Sequence, residues 1–227
     1  MGFEQVRRKL EAGERLVIVG YGDSWTYGSC ADGWEEARAA GYDRELITGS
    51  WIVQLQRYCA VRSAHVEVHN AGQGGWTAAR GADHFDELVG RLQPDLVLLN
   101  FGINDWRHRV PLADYRRTME SLVERIRLLG SDCVLWTSGP VSSMRGETHE
   151  WDDPVDDREF PHPFAAYNET IRDIARERGL TLADAERAIL ADTEFVRSKG
   201  AWFLDAIHFL QPGHDRIFRC IRETLQL

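Results

Sequence analysis

The chain has 227 residues, 43% hydrophobic and 28% charged, and its 36 acidic against 27 basic side chains give a formal charge of -9. That is ordinary globular composition, sufficient for a full core, so residues 1–227 are read as a single domain. With no basic face gathered in the sequence, the acidic balance argues against a nucleic-acid binder and against a protein held on an anionic membrane.

The opening MGFEQVRRKLEAGERL has no apolar stretch and no small-residue cleavage site, unlike a secretory signal. No run approaches the ~20 apolar residues that span a bilayer. Cys30, Cys59, Cys133 and Cys220 are scattered with no C-x-x-C pair, and are expected to be inert buried thiols. A cytoplasmic protein is therefore expected.

In chain order, RLVIVGYGD (15–23) predicts a first strand, nearly continuous in apolar residues as in strands covered on both faces. Residues 28–49 then form a long interruption before a helix over 50–62, with Ser50 as a candidate cap. HVEVHNAG (65–72) predicts a second strand and 76–92 a second helix. DLVLLNFG (95–102) is a third strand. In the helix expected over 112–129, Leu112, Tyr115, Met119, Leu122, Ile126 and Leu129 make one buried stripe. DCVLWTSGP (132–140) is a fourth strand, followed by a second interruption at 139–162, acidic and proline-punctuated. A helix over 163–178, a weak strand at 180–184 and a closing helix in HDRIFRCIRETLQL complete the chain. Such alternation specifies a parallel sheet with right-handed crossovers and helices on both faces. Ligands bind beyond the carboxyl ends of such strands, so both interruptions are read as walls of a site.

The strand ends hold the residues with chemistry. The first runs into Gly22-Asp23-Ser24-Trp25, where Ser24 is either a nucleophile or, with Asp23, a simple turn cap. Thr26 excludes the G-x-S-x-G elbow. The second ends in Asn70-Ala71-Gly72-Gln73-Gly74-Gly75-Trp76-Thr77, which satisfies neither phosphate-binding glycine motif. The third ends in Gly102-Ile103-Asn104-Asp105, where Asn104 offers amide donors and Asp105 a cap. Asp205 and His208 lie three apart, close enough for one turn to set a carboxylate on the imidazole Nδ1 and leave Nε2 for a serine.

Together these blocks resemble the SGNH (GDSL) hydrolase family, from Tyr21 to His214: GDSW at 22–25, NAGQGGWT at 70–77, GIND at 102–105 and DAIHFLQPGH at 205–214. The resemblance implies a three-layer, flavodoxin-like domain with a parallel sheet of about five strands. It also implies Ser24 as nucleophile, His208 as base and Asp205 as its orienter. The implied oxyanion hole is the N–H groups of Ser24 and Gly75 with the Asn104 amide. Trp25 stands where Leu is common, Ile103 where a glycine is usual and Phe209 where Pro is frequent, departures that bear on the pocket rather than the chemistry. The expected partner is a small-molecule ester. No cofactor is implied, and the carboxylates and histidines of 147–162 have no metal-ligand spacing, so no metal is expected.

Trp25, Trp76 and Trp106 each lie within two residues of an implied site residue, which suggests substrate-binding indoles around the mouth. They would suit a sugar face, an aromatic group or a flat polycyclic alcohol better than a long acyl chain. The expected activity is therefore a serine esterase that releases a short acyl group, such as acetyl, from a carbohydrate or small metabolite. The alternatives are an acyltransferase using the same three residues and a non-catalytic binding module on the same fold.

Overall fold

The strands form where the sequence offers unbroken apolar runs, and burying each Val, Leu or Ile side chain contributes about 1.5–3 kcal/mol. A computed structural model describes residues 4–142 and 160–226. Its strands are β1 (Leu16–Gly22), β2 (Val66–Asn70), β3 (Leu96–Asn100), β4 (Asp132–Trp136) and β5 (Thr181–Ala183). They pair in parallel in the order β2-β1-β3-β4-β5, with Ile18 between Val68 and Leu96. Every residue of β1 and β3 is buried, whereas the edge strand β2 buries only Val68.

The helices are α1 (Glu4–Ala12), α2 (Ser24–Tyr27), α3 (Trp34–Ala39), α4 (Trp51–Arg62), α5 (Ala78–Asp83), α6 (Phe85–Leu88), α7 (Ile103–Arg107), α8 (Leu112–Leu128), α9 (Ala165–Arg178), α10 (Ala185–Leu190), α11 (Thr193–Arg197) and α12 (Gln211–Leu225). α4, α12 and α10 pack together on one face and α5, α8 and α9 on the other, giving the expected three-layer single α/β domain. No helix of the described residues is long and apolar enough to cross a membrane. From β1 the chain goes to β2 on one side and returns to β3 on the other, so the sheet's switch point lies between the ends of β1 and β3.

Beside the short helices α3, α10 and α11, which the pattern does not announce, three departures have a clear physical cause. The helix expected over 76–92 breaks at His84 (φ -106°, ψ 9°) into α5 and α6. The Tyr21 hydroxyl donates to the Gly81 carbonyl at 2.5 Å, taking the acceptor that continued helix would use for Phe85. Ser50 does precede α4, but its hydroxyl makes no cap bond. Its small size serves Gly28 instead (φ +101°), where an added Cβ would fall 2.4 Å from the Ser50 Cβ. Finally, α1, invisible to the strand-and-helix pattern, is docked by buried Val6 and by a 2.6 Å Lys9–Asp95 ion pair. Residues 143–159, most of the second interruption, lie outside the described residues.

Candidate active site

The end of β1 separates two tasks that the sequence left open at one turn. Asp23, in extended backbone, caps α2: its Oδ1 accepts the Trp25 N–H at 3.0 Å. Gly22 is pressed so closely on β3 that an added Cβ would lie 2.3 Å from the Asn100 carbonyl oxygen. Ser24, relieved of capping, places its Oγ 2.8 Å from His208 Nε2.

His208 comes from the far end of the chain on a tight loop. Phe203 and Phe209 form an antiparallel bridge, and the Leu204 N–H donates to the His208 carbonyl at 3.0 Å. Inside that loop, Asp205 Oδ1 accepts the N–H groups of Ile207 (2.7 Å) and His208 (2.5 Å). Its Oδ2 stands 2.6 Å from His208 Nδ1. Burial alone would raise the Asp205 carboxyl, but the bond and charge of His208, with the two N–H donors, hold it at about 2. Phe209 anchors the loop by packing edge-on to Trp25 at 4.8 Å between ring centres. Two of the departures from the resembled pattern therefore touch each other.

The other two strand ends close around Ser24. Asn70 ties the second block to the first, its amide donating to the Tyr27 carbonyl (3.1 Å) while its oxygen accepts the Gly72 N–H (3.0 Å). Asp105 holds the start of α5 by accepting the Ala78 N–H at 3.0 Å, rather than capping its own segment. Burial raises the Asp105 carboxyl to about 6. Asn104 Nδ2 donates to the Trp76 carbonyl at 3.0 Å. Among the described residues, the N–H groups of Ser24 and Gly75 have no acceptor.

Ser24, Gly75 and Asn104 line one cavity of about 580 Å³. One part of its lining is aromatic. Tyr27 and Trp34 meet edge-on at 6.2 Å, Trp34 packs on Tyr42 at 5.9 Å, and the Tyr27 hydroxyl donates to the Tyr42 carbonyl at 2.8 Å. Arg107 and His108 also contribute. The 28–49 interruption thus supplies part of the wall, with Thr48 and Gly49 tied back to the Asp32 carbonyl. A second cavity of about 640 Å³, against β2, shares Tyr27 with the first.

The structure does not bring the three expected indoles to this cavity. Trp25 is 3% exposed against Phe209, and its carbonyl accepts the Trp51 indole N–H. Trp106 is 1% exposed, stacked on Phe160 with its N–H on the His162 carbonyl. Trp76 is half-buried beside His84, under the Arg80 guanidinium. Proximity in sequence to a strand end does not decide which side of the turn a ring faces, and packing decided it here. The aromatic residues that line the cavity, Tyr27, Trp34 and Tyr42, were missed individually. Their only signal was the density of aromatics at the edges of a loop already read as a wall.

The sequence matches the GDSL-like lipase/acylhydrolase family over residues 21–216. No curated protein matches it. Among solved structures, an α/β hydrolase enzyme from the metagenome of Lake Arreo, Spain, is similar at 20% identity and TM-score 0.71, over 94% of this chain and 96% of that one. The lipase/acylhydrolase from Enterococcus faecalis is similar at 21% identity and TM-score 0.70, over 93% and 96%. A catalytic mutant of an acetylxylan esterase from Geobacillus stearothermophilus is similar at 19% identity and TM-score 0.70, over 94% and 95%. These likenesses concern the fold.

Proposed function

The chain belongs to the GDSL-like lipase/acylhydrolase family and is a serine ester hydrolase; from that premise we propose that it removes a short acyl group, acetyl foremost, from a carbohydrate or comparable small metabolite, through an acyl-enzyme on Ser24. The observation that carries the reading is the unbroken chain of hydrogen bonds, Ser24 to His208 at 2.8 Å and His208 to Asp205 at 2.6 Å.

In this reading, His208 takes the Ser24 proton as Oγ attacks the ester carbonyl. The imidazolium formed faces an Asp205 carboxylate that stays charged across the working pH range. Negative charge on the carbonyl oxygen meets the N–H groups of Ser24 and Gly75, which need break no existing bond to receive it. Asn104 has two amide hydrogens. One held by the Trp76 carbonyl fixes the amide plane and leaves the other for the oxyanion. Each such donor is worth about 3 kcal/mol in the transition state. His208 then protonates the departing alcohol, and water enters by the same route to release the acid.

The lining supports the choice of substrate. Among the described residues, the cavity around Ser24 contains no aliphatic side chain that could seat a long acyl chain. Tyr27, Trp34 and Tyr42 give the cavity an aromatic wall for a sugar to pack against, and the second cavity beyond Tyr27 gives a larger alcohol room to extend. An ester panel tests this. Acetyl and propionyl esters should exceed decanoyl and longer ones in kcat/KM, and acetylated sugars should release acetate. A preference for long chains would contradict the substrate assignment, and transfer to an added alcohol in place of hydrolysis would make the protein an acyltransferase.

A further inference from the structure

The mechanism above leaves one nucleophilic side chain unused beside its centre. The Cys30 sulfur, an Asp205 carboxylate oxygen and a His208 ring nitrogen all lie within 4.8 Å of one another, each on a buried residue. Cys30 is held there by backbone that a non-glycine residue seldom adopts, φ +70°. The Ser24 carbonyl accepts the N–H groups of both Gly28 (3.0 Å) and Ser29 (3.1 Å), which winds the chain back on itself just before Cys30. The His214 imidazole donates to the Ser29 carbonyl at 3.1 Å and pins the turn from α12. The loop thus brings a thiol to the two groups that would activate the serine.

Thiolate, imidazole and carboxylate together form a donor set suited to a borderline-soft divalent cation. We infer that Cys30, Asp205 and His208 form an inhibitory site for such a cation, Zn²⁺ foremost, whose occupation stops the esterase. The inhibition rests on the reading of the site given above; the binding does not. A tetrahedral zinc holds its donors roughly 3.3–3.7 Å apart, so with Nδ1 as ligand the 2.6 Å Asp205–His208 hydrogen bond opens by about 1 Å while the thiol draws in from within 4.8 Å. The three ligands are buried, but Ser24, whose Oγ lies 2.8 Å from His208 Nε2, lines the cavity together with Ser29, the neighbour of Cys30, so the ion would enter from that side. Binding releases the thiol proton to solvent and consumes no other reactant. Either imidazole nitrogen is one that turnover needs, because Nδ1 is held by Asp205 and Nε2 faces Ser24. Mg²⁺ and Ca²⁺, which favour sets of oxygen ligands, should not compete.

The test titrates chelator-treated enzyme with Zn²⁺ alone while following acetyl-ester hydrolysis, and titrates Co²⁺ while following the thiolate-to-cobalt absorption band. One equivalent should abolish turnover, a chelator should restore it, and Mg²⁺ should leave it unchanged. Cys30→Ala should keep the uninhibited rate and lose the cobalt band. Its half-inhibitory zinc concentration should rise at least by the roughly 10–100-fold that loss of an outer-shell partner already costs. Cys30→Ser, nearly the same size, guards against a folding defect, and Cys59→Ala should behave as wild type. The cobalt titration repeated on Ser24→Ala reads the site without activity, so a failure of the esterase assignment would remain distinguishable. Equal zinc sensitivity in Cys30→Ala, no zinc inhibition of the wild type, or no thiolate band would each overturn the inference.

Discussion

Two aspartates flank the Ser24–His208 pair, both inaccessible to solvent, and their charges have opposite fates. Asp23, beside Ser24 at the end of β1, receives one N–H on Oδ1, while its buried Oδ2 has no partner among the described residues. Burial, opposed by that bond and least by Asp23's own N–H, and reinforced by nearby Asp105, raises its carboxyl to about 8. Asp205, at the C-terminal loop, is equally enclosed but receives two N–H groups and an imidazole, and is held at about 2. Burial disfavours both charges, and the supply of donors decides which one survives. One aspartate is thereby a neutral cap that shapes the turn, and the other a lasting charge set against the His208 imidazole.

The comparison breaks most sharply at Asp205. Asp205→Asn should lower kcat about 10⁴-fold, because the amide presents the wrong hydrogen-bonding partner to Nδ1 and favours the wrong tautomer. Steady-state kinetics with an acetyl ester would check this, and a loss confined to KM would argue that Asp205 only shapes the pocket. Asp23 should respond to pH through stability instead. A carboxyl raised in the folded state binds more protons folded than unfolded, so stability falls as pH rises from the unfolded value towards 8. His214, held down to about 4 by burial, works oppositely, but only below the ordinary histidine range. Between pH 6.5 and 8 the wild type should therefore lose about 2 kcal/mol of unfolding free energy from Asp23, a loss Asp23→Asn should largely abolish. Denaturant melts at the two pH values measure it. The smallest effect is on rate: at pH 7 Asp23→Asn replaces one neutral cap by another, and kcat should stay within about threefold of wild type.

Why some of this was legible in the sequence and some was not follows from range. β1, β3 and β4 were visible because a strand covered on both faces must be apolar throughout, and the chain registers that constraint locally. The meeting of Ser24, Asp205 and His208 was legible only through the resemblance of four spaced blocks to a known family, because a serine at a turn and an aspartate three residues before a histidine each left a plain structural reading open. The break of the second helix at His84 was not legible, since it depends on a tyrosine sixty residues away in β1. Nor was the fate of Trp25 and Trp106, whose rings are drawn inward by Phe209 and by Phe160 and Phe164. The meeting of Cys30 with Asp205 and His208 likewise joins chain ends that no local pattern connects.

The proposed chemistry rests most directly on the hydroxyl of Ser24. Measuring kcat/KM of Ser24→Ala with an acetyl ester, with far-UV circular dichroism confirming the fold, tests it in one step. Turnover should fall to background while the dichroism spectrum matches wild type, since removing a small hydroxyl at the start of a four-residue helix costs the fold little. Wild-type-like turnover in a folded Ser24→Ala protein would contradict the assignment of Ser24, and with it the roles given to His208 and Asp205.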